Sequence, residues 1–398
     1  MAELQIPFEL LKKFSGLIHR QPQFVTDKLN VKSYHLNFLN KHGEPLNDDS
    51  PVPDFVSQLP NILPAISDHQ QALLSIPESW REALYKSHDT TLSLTLDLHG
   101  GHYPSEDYNA DKKHFSFAKH AETVNDDDHA NTLLIDMQRL SHQALTEHLP
   151  YWRQNHKTLC AINVNDYGGY EFCKTHSLDL LQGQFYTLPL ANDNQKIPLS
   201  SQTLMTLLVK LQDPDIDAEE IAATISKDLS LSYKLLRLIN SAFFGLPREV
   251  SSIKQAIIML GHKTVKTWAS LLSLSTVDNK PNELRVVAMT RARMCELLAK
   301  YYKASAEMSF AAGLFSTLDA LLDKSLSMVL SQLPLTSELS SALLNKSGPV
   351  GQVLRDVLNY EKGDWIALNG SPLPVEIIAR AYLDAIHWAK ELNTQLVD

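Results

Sequence analysis

Hydrophobic positions change their spacing near residue 190. Before that point, short apolar runs alternate with stretches in which apolar residues recur every three or four positions. The strand candidates span residues 34–39, 72–76, 92–98, 115–118, 132–137, 159–164 and 180–186, and the helix candidates span 77–86, 140–155 and 168–176. Strands that alternate with helices predict a largely parallel sheet with helices packed outside it, either as a barrel or as an open sheet.

After residue 197 only helical spacing remains. Apolar residues at Leu231, Leu235 and Leu238, and again at Ile253 and Ile257, predict two amphipathic helices joined by a short turn. Further helices are predicted over residues 201–212, from 218 onwards, and over 262–274, 283–302, 305–322, 325–332, 337–344, 350–360 and 374–392.

The turn between the two amphipathic helices has a recognisable composition. Gly245 can take a left-handed backbone and Pro247 forbids helix continuation. Ser251 or Ser252 can cap the second helix, and Gly261 closes it. The earlier helix from residue 218 has its own start signal, since Asp217 and Glu220 stand at capping-box spacing.

A polar, proline-bracketed stretch over residues 188–198 separates the two patterns. We therefore predict a first domain over residues 1–190, a linker over 191–197 and a helical domain over 198–398. Within the first domain, residues 40–64 are typical of an irregular connection and residues 100–113 of an exposed loop.

Composition excludes several function classes. The chain has 398 residues, of which 44% are hydrophobic and 21% charged, as in ordinary globular proteins. Its net charge of −10 argues against a general affinity for nucleic acid or anionic membranes and favours a protein or small-molecule partner. It has no uncharged apolar run of about 18 residues and no signal-peptide pattern, so we expect it in the cytoplasm.

Neither cysteines nor histidines indicate a metal site. Cys160, Cys173 and Cys295 have no C-x-x-C spacing and are interpreted as reduced packing residues. Five histidines gather around the polar loop, and we expect them to be solvent-exposed rather than metal-bound; they are His99, His102, His114, His120 and His129. The run 125–129 could bind calcium, but it lacks the Gly and terminal Glu of a wrapping loop and favours a solvated acidic turn.

Two features of the helical half have competing interpretations. Phe243 and Phe244 could anchor a partner helix, although burial at the helix joint is the favoured interpretation, and Trp268 is predicted to lie in the core. The central helices are locally basic and could meet an acidic protein or RNA, although a solvated surface is the usual meaning. The basic residues are Lys227, Lys234, Arg237, Arg248, Lys254, Lys263 and Lys266.

The run 240–247, followed at the right distance by 251–261, resembles the HDOD family, a helical bacterial signalling module related to HD-domain phosphohydrolases. The matching motif residues are Asn240, Ser241, Phe243, Phe244, Gly245, Pro247 and Gly261. An HD hydrolase needs an adjacent His-Asp pair as metal ligands. Carried onto this chain, the pair falls on Ser316 and Thr317, and neither is a credible replacement ligand. Nearby Asp319 is interpreted as a surface or capping carboxylate.

Residues 161–189, together with 20–27 and 31–36, resemble the two ends of an EAL domain, the cyclic di-GMP phosphodiesterase fold. The resemblance implies an α/β barrel in which carboxylates and an asparagine hold two metal ions. The family's metal-site positions fall on His35, Leu39, Ser75, Thr95, Ala118, Lys119, Leu134, Asp136, Ile162, Asn165 and Gln182. Of these, only Asp136 and Gln182 keep the family's residue, and Asp136 can equally cap a strand end.

These observations predict an α/β plus all-α protein: a degenerate EAL-like (β/α) barrel followed by an HDOD helical domain. The resemblance implies a catalytically inactive adaptor, not an enzyme, without cofactor or metal, in cyclic di-GMP, motility or biofilm control. Its partners are expected to be other signalling proteins, with homo-oligomerisation left open and membranes and nucleic acid disfavoured. The alternatives are a cyclic dinucleotide sensor that binds without hydrolysis and a nucleic-acid-binding regulator.

Overall fold

The computed structural model describes residues 8–87, 94–99, 115–121, 130–189, 199–213, 215–241, 243–274 and 280–397. The chain divides into two compact units. The first comprises Met1–Phe185 with Asn359–Leu383, and the second comprises Tyr186–Leu358 with Asp384–Asp398. No helix in the described residues is long and apolar enough to cross a membrane.

Eight strands close into a barrel in the first unit. They are β1 Leu17–Val25, β2 Val31–Leu39, β3 Gln71–Pro77, β4 Leu94–His99, β5 Ser116–His120, β6 Thr132–Asp136, β7 Thr158–Ile162 and β8 Leu180–Leu181. Strand β1 runs antiparallel to both of its neighbours, β2 and β8, whereas all other pairs are parallel. The predicted alternation of strands and helices thus gives the barrel and not the open sheet.

In the part of the first unit that the structure describes, four α-helices lie between the strands. They are α1 Leu59–Ile66, α2 Arg81–Ser87, α3 His142–Asn155 and α4 Tyr167–Thr175. Side-chain caps fix the starts of the last two, because Ser141 accepts from the amide of Ala144 and Asp166 accepts from that of Gly169. Cys160 and Cys173 are buried and free, as is Cys295 in the second unit, which confirms their interpretation as packing residues.

The predicted strand over 180–186 was wrong beyond its second residue. Strand β8 ends at Leu181, and residues Phe185–Thr187 form a 3₁₀ turn. Gly183 explains the early end, because a Cβ there would lie 2.1 Å from the carbonyl oxygen of Val164. The chain therefore packs backbone against backbone at this point, where an extended strand residue with a side chain would not fit.

The remaining helices are α5 Leu199–Gln212, α6 Ala218–Ser226, α7 Leu229–Ile239, α8 Ile253–Leu260, α9 His262–Leu274, α10 Asn282–Ala299, α11 Ala306–Phe315, α12 Leu318–Leu322, α13 Leu326–Leu330, α14 Ser337–Asn345, α15 Gly348–Lys362, α16 Trp365–Leu368 and α17 Val375–Val397. One predicted helix, over residues 305–322, was wrong because the chain breaks at Ser316 and Thr317. Both hydroxyls donate to carbonyl oxygens three residues earlier, at 2.7 and 2.8 Å, and so compete with the helical backbone.

The joint between α7 and α8 shows why its sequence is distinctive. The side-chain amide of Asn240 pairs with both backbone groups of Val250, donating to the carbonyl at 2.8 Å and accepting from the amide at 2.7 Å. Ser252, and not Ser251, caps α8, and Gly261 ends it with a φ of +84°. A single side chain thus ties the end of one helix to the start of the next.

Aromatic side chains fill the space beside this joint. Phe243 and Phe244 are half-buried and lie edge-on to Trp268, with ring centroids 5.4 and 5.3 Å away. The ring of Trp388 also packs against Trp268, with the two ring centroids 5.7 Å apart. Trp268 is buried, as predicted. Phe243 and Phe244 pack against it, which agrees with the favoured interpretation of burial at the helix joint.

A C-terminal segment, Asn359–Leu383, lies in the first unit, whereas the sequence analysis assigned all of residues 198–398 to one helical domain. The hydroxyl of Tyr360 donates to the carbonyl oxygen of Ile18 at 2.9 Å, and that of Tyr382 donates to the carbonyl oxygen of Arg20 at 3.2 Å. The segment therefore binds the outer edge of strand β1. The predicted linker over 191–197 lies outside the described residues.

Candidate functional site

Polar side chains collect inside the barrel where the parallel strands end. Side chains alternate between the two faces of a strand, so residues two apart on neighbouring strands point to the same face. His35 on β2, Ser75 on β3 and Asp97 on β4 meet at this end of the barrel, and each is at most 4% exposed. Gln182 follows directly after β8 and lies beside His35.

These side chains form a row of close polar contacts, and because the Ser75 hydroxyl donates to Asp97, a neutral His35 donates its single N–H to Ser75 and has no proton to donate to Gln182. The hydroxyl of Ser75 donates to Oδ2 of Asp97 at 2.7 Å, and Nε2 of His35 lies 2.7 Å from the Ser75 hydroxyl. On its other side, Nδ1 of His35 lies 3.0 Å from Oε1 of Gln182. The outer end of the row is His120 on β5, whose Nε2 lies 3.4 Å from the Asp97 carboxylate.

The barrel interior sets the charges of this row. Burial lowers the pKa of His35 to about 4, although attraction to Asp97 acts in the opposite direction. Burial alone would raise the pKa of Asp97, but the hydrogen bonds from His120 and Ser75 outweigh it and hold the pKa of that carboxyl below its ordinary range. At neutral pH the site therefore contains a carboxylate and a neutral buried imidazole.

Gln182, one of the two retained residues, is tied to strand β1. Its Oε1 accepts from Nε2 of Gln23 at 3.0 Å, and its own Nε2 donates to Oε1 of Gln21 at 2.8 Å. Gln23 in turn accepts from the hydroxyl of Ser33 at 2.7 Å. Gln182 thus joins the last strand to the first and helps to close the barrel.

Asp136, the other retained residue, stands at the end of β6 and makes its own contacts. Its Oδ1 accepts from the backbone amide of Gln138 at 2.9 Å, as expected for a carboxylate that caps a strand end. Its Oδ2 accepts from the amide of Asn163 at 3.0 Å and lies 3.4 Å from the guanidinium of Arg139. Both oxygens are therefore engaged.

The arrangement does not fit the two divalent ions of the resembling family. A pair of such ions requires several carboxylates with free oxygens. In the described part of the barrel, Asp97 and Asp136 are bonded to neighbouring side chains, and no group of three His, Cys, Asp or Glu residues is placed to hold a metal. No hydrolytic step can be derived from these residues.

The structure brings together only part of the predicted set. His35, Ser75 and Gln182 meet, whereas three other predicted positions belong to an apolar cluster. Ala118, Leu134 and Ile162 pack in one cluster with Leu73 and Cys160. Three more predicted positions are buried or locally bonded: Leu39 pairs with Leu17, Lys119 is 7% exposed, and Asn165 accepts from the amide of Gln184.

Thr95 does not reach the cluster. It lies two residues before Asp97 on the same strand and pairs with Leu73 and Ser116. Its side chain lines a cavity of about 730 Å³ at the opposite end of the barrel, where the parallel strands begin. Ser75 pairs with Asp97 and not with Thr95, so the register between β3 and β4 brings Asp97 to the cluster.

His120 is a second functional side chain that the sequence analysis did not assign to the cluster. Its side chain is 37% exposed and contacts the buried carboxylate, so it is not simply a solvent-exposed histidine. Three other members of the histidine group, His102, His114 and His129, and the acidic run 125–129 lie outside the described residues.

The second unit carries the position that corresponds to the HD metal pair. Ser316 donates to the carbonyl oxygen of Gly313, and Thr317 is completely buried. The guanidinium of Arg291, itself only 5% exposed, donates to the carbonyl and hydroxyl oxygens of Ser316 at 3.3 and 3.2 Å. A permanent cation therefore already occupies the neighbourhood of this pair, which does not fit a metal ion.

Asp319 lies nearby, in the first turn of α12. Burial raises its pKa, and the positive charge of Arg291 acts against that rise. Its Oδ1 accepts from the backbone amide of the adjacent Ala320 at 2.8 Å, but Asp319 is the second residue of α12 and the helix start has no side-chain cap, so the predicted capping role is not confirmed. Gly313 lets α10 and α11 approach, since a Cβ there would lie 2.6 Å from the carbonyl oxygen of Arg291.

Comparison with known proteins agrees with this architecture. The HDOD domain family matches residues 197–332. The chain is 31% identical over 219 residues to the Vibrio cholerae protein named cyclic di-GMP phosphodiesterase CdgJ, covering 53% of this chain and 51% of that protein. It is 30% identical over 220 residues to YuxH of Bacillus subtilis, covering 54% of each. The chain thus spans about half the length of the curated relatives it matches.

Solved structures with related titles are more distant. An EAL domain protein from Listeria monocytogenes has 10% identity and a TM-score of 0.34, with 45% of this chain and 90% of that chain covered. An HDOD domain protein from Geobacter sulfurreducens has 17% identity and a TM-score of 0.26, with 50% and 72% covered. Residues 197–332 thus match the HDOD domain family, and in sequence they follow a closed eight-stranded barrel.

Proposed function

We propose that this protein is a regulator in cyclic di-GMP signalling that acts by binding other proteins and not by hydrolysing a phosphodiester. The HDOD domain and the relative named as a cyclic di-GMP phosphodiesterase support the signalling context. Control of motility or biofilm formation is the output that we propose for it.

One observation carries the proposal of inactivity. At the strand ends, where a barrel of this kind would bind its substrate, the side chains are hydrogen-bonded to one another. Ser75 and His35 satisfy each other, Asp97 accepts from Ser75, and the oxygens of Asp136 are taken by a backbone amide and a side-chain amide. Binding of two metal ions would have to break these bonds inside a buried site, which is costly.

The direct test is hydrolysis of cyclic di-GMP by the full chain with magnesium or manganese added. We expect no turnover above a no-protein blank. Asp97→Asn and Asp136→Asn serve as site variants, and Asp54→Asn, which changes an exposed carboxylate, is the matched control. Turnover that disappears in a site variant but persists in the control would refute the proposal.

Calorimetry separates an adaptor from a sensor. We expect no heat when cyclic di-GMP is titrated into protein at about 100 μM, a concentration at which weak binding in the micromolar range is readily measured. Saturable heat without turnover would replace the adaptor with a non-hydrolysing sensor.

A further inference from the structure

The outer face of α7 exposes apolar side chains in a regular row. Its buried stripe is formed by Leu231, Leu235 and Leu238. On the opposite side, Leu229 is 82% exposed and Tyr233 is 66% exposed. They are four residues apart and therefore lie one above the other on the helix surface. Single exposed apolar residues are common, but an adjacent pair of this size on one helix face calls for an explanation.

The same face carries basic residues. Arg237 continues the row of Leu229 and Tyr233 by one more step of four, and Lys234 lies in the adjacent row. Lys227 precedes the helix and Arg248 follows its joint, and both are exposed. The whole chain has a net charge of −10, whereas residues 227–249 contain these four basic residues and two acidic ones, Asp228 and Glu249.

These cations differ from the other basic residues of the central helices. Lys254 and Lys263 form ion pairs with Glu219 and Glu307 at 2.9 and 3.1 Å, and Lys266 donates to a backbone carbonyl. Within the described residues, by contrast, no carboxylate forms an ion pair with Lys227, Lys234, Arg237 or Arg248. The charges of the α7 face are thus available to a partner.

From this combination we propose that the outer face of α7 is a docking site for an acidic segment of another protein, one that carries apolar side chains beside its carboxylates. A nucleic acid is a poorer match, because an exposed leucine forms no favourable contact with a phosphate backbone. Apolar side chains surrounded by charged residues are typical of protein–protein interfaces. The acidic character follows from complementarity with the unpaired cations. This inference rests on the proposed adaptor function and names the surface that would carry it.

A photo-crosslinking experiment in the cells of origin tests the proposal. The photoreactive residue p-benzoylphenylalanine replaces Tyr233 in the full chain, and the adduct is mapped to a peptide by mass spectrometry. The control places the same residue at Ile366, which is 87% exposed, belongs to the first unit and lies two residues after Asp364. The mapped peptide is then synthesised and its Kd for the unlabelled full chain is measured.

The expected result is an adduct at position 233, absent from the Ile366 control, on a net-negative peptide of another protein. The charge reversals Lys234→Glu and Arg237→Glu should together weaken binding of that peptide by about tenfold or more. Leu229→Ser should weaken it as well, whereas Lys254→Glu should have little effect. Circular dichroism of each variant verifies that the fold is kept.

Four results would overturn the docking site. The first two are an adduct with RNA and an adduct with a second copy of this chain. The other two are an adduct yield at position 233 no higher than at Ile366, and a peptide Kd that the charge reversals leave unchanged. Each leaves the hydrolysis assay unaffected, so failure of the docking site is distinguishable from failure of the adaptor function. Conversely, turnover of cyclic di-GMP would refute the adaptor while the crosslink could still be scored.

Discussion

Protonation of the buried imidazole at the barrel's strand ends should make the first unit sensitive to mild acid. His35 is 3% exposed, and burial lowers its pKa from an ordinary 6.5 to about 4. As the pH falls between these values, the unfolded chain binds a proton that the folded chain does not. Folding stability must therefore decrease as the pH decreases through this window.

The size of the effect follows from the two pKa values. Each unit of difference between the two pKa values corresponds to about 1.4 kcal/mol. Lowering the pH through this range therefore reduces the free energy of unfolding by about 3 kcal/mol. Asp97 does not act in this window, because its pKa is lowered and its contribution is lost only below the ordinary range of a carboxyl group. His19 is also buried with a lowered pKa and acts in the same direction as His35.

The variant His35→Gln isolates the contribution. Glutamine does not titrate and can still hydrogen-bond to Ser75, so its unfolding free energy should fall less between pH 6.5 and 4 than that of the unmodified chain, by about 3 kcal/mol. Urea unfolding followed by circular dichroism at several pH values measures the difference, and the slope left in the variant reports His19. His42→Gln, which changes an exposed histidine, is the control.

Parallel pH profiles for the unmodified chain and His35→Gln would refute this reasoning. That result would mean that the folded barrel accepts the proton as readily as the unfolded chain does. The imidazolium would then be stabilised by the Asp97 carboxylate through Ser75, and the attraction would have outweighed the cost of burial.

Three further predictions concern packing and caps, and urea unfolding measures each. Gly313→Ala should destabilise the second unit by about 1–3 kcal/mol, because its Cβ would meet the backbone of α10; Gly169→Ala, where a Cβ makes only ordinary contacts, should not destabilise, and equal effects would contradict the close approach. Tyr360→Phe should cost about 1–3 kcal/mol by leaving the Ile18 carbonyl without its donor, whereas Tyr301→Phe on the surface should cost little. Asp228→Ala should cost about 1 kcal/mol, because Asp228 accepts from the Leu231 amide at the start of α7, and Asp228→Asn should restore most of it; an unchanged stability in the alanine variant would exclude a cap.

The sequence predicts best where a feature depends on nearby residues. The joint between α7 and α8 is such a feature, since Asn240, Ser252 and Gly261 act within about twenty residues of one another. The break at Ser316 and Thr317 was missed because the apolar spacing continues through it. Their hydroxyls bond to the carbonyl oxygens of Gly313 and Leu314, but Ser273 makes a similar bond within an unbroken helix, so these bonds alone do not predict the break.

Long-range partners were harder to predict. Asp97 and Ser75 are on different strands, and only the register between β3 and β4 places them side by side, which a single sequence does not show. The association of Tyr360 and Tyr382 with β1 was also invisible, because a helical pattern shows that one face is buried but not what covers it.

The return of Asn359–Leu383 to the first unit has a consequence for biosynthesis. The ribosome must make all of Tyr186–Leu358 before the partners of Ile18 and Arg20 leave the exit tunnel. At usual elongation rates this delay is on the order of tens of seconds. During that time the carbonyl oxygens of Ile18 and Arg20 in strand β1 lack the hydroxyl donors that they have in the finished protein.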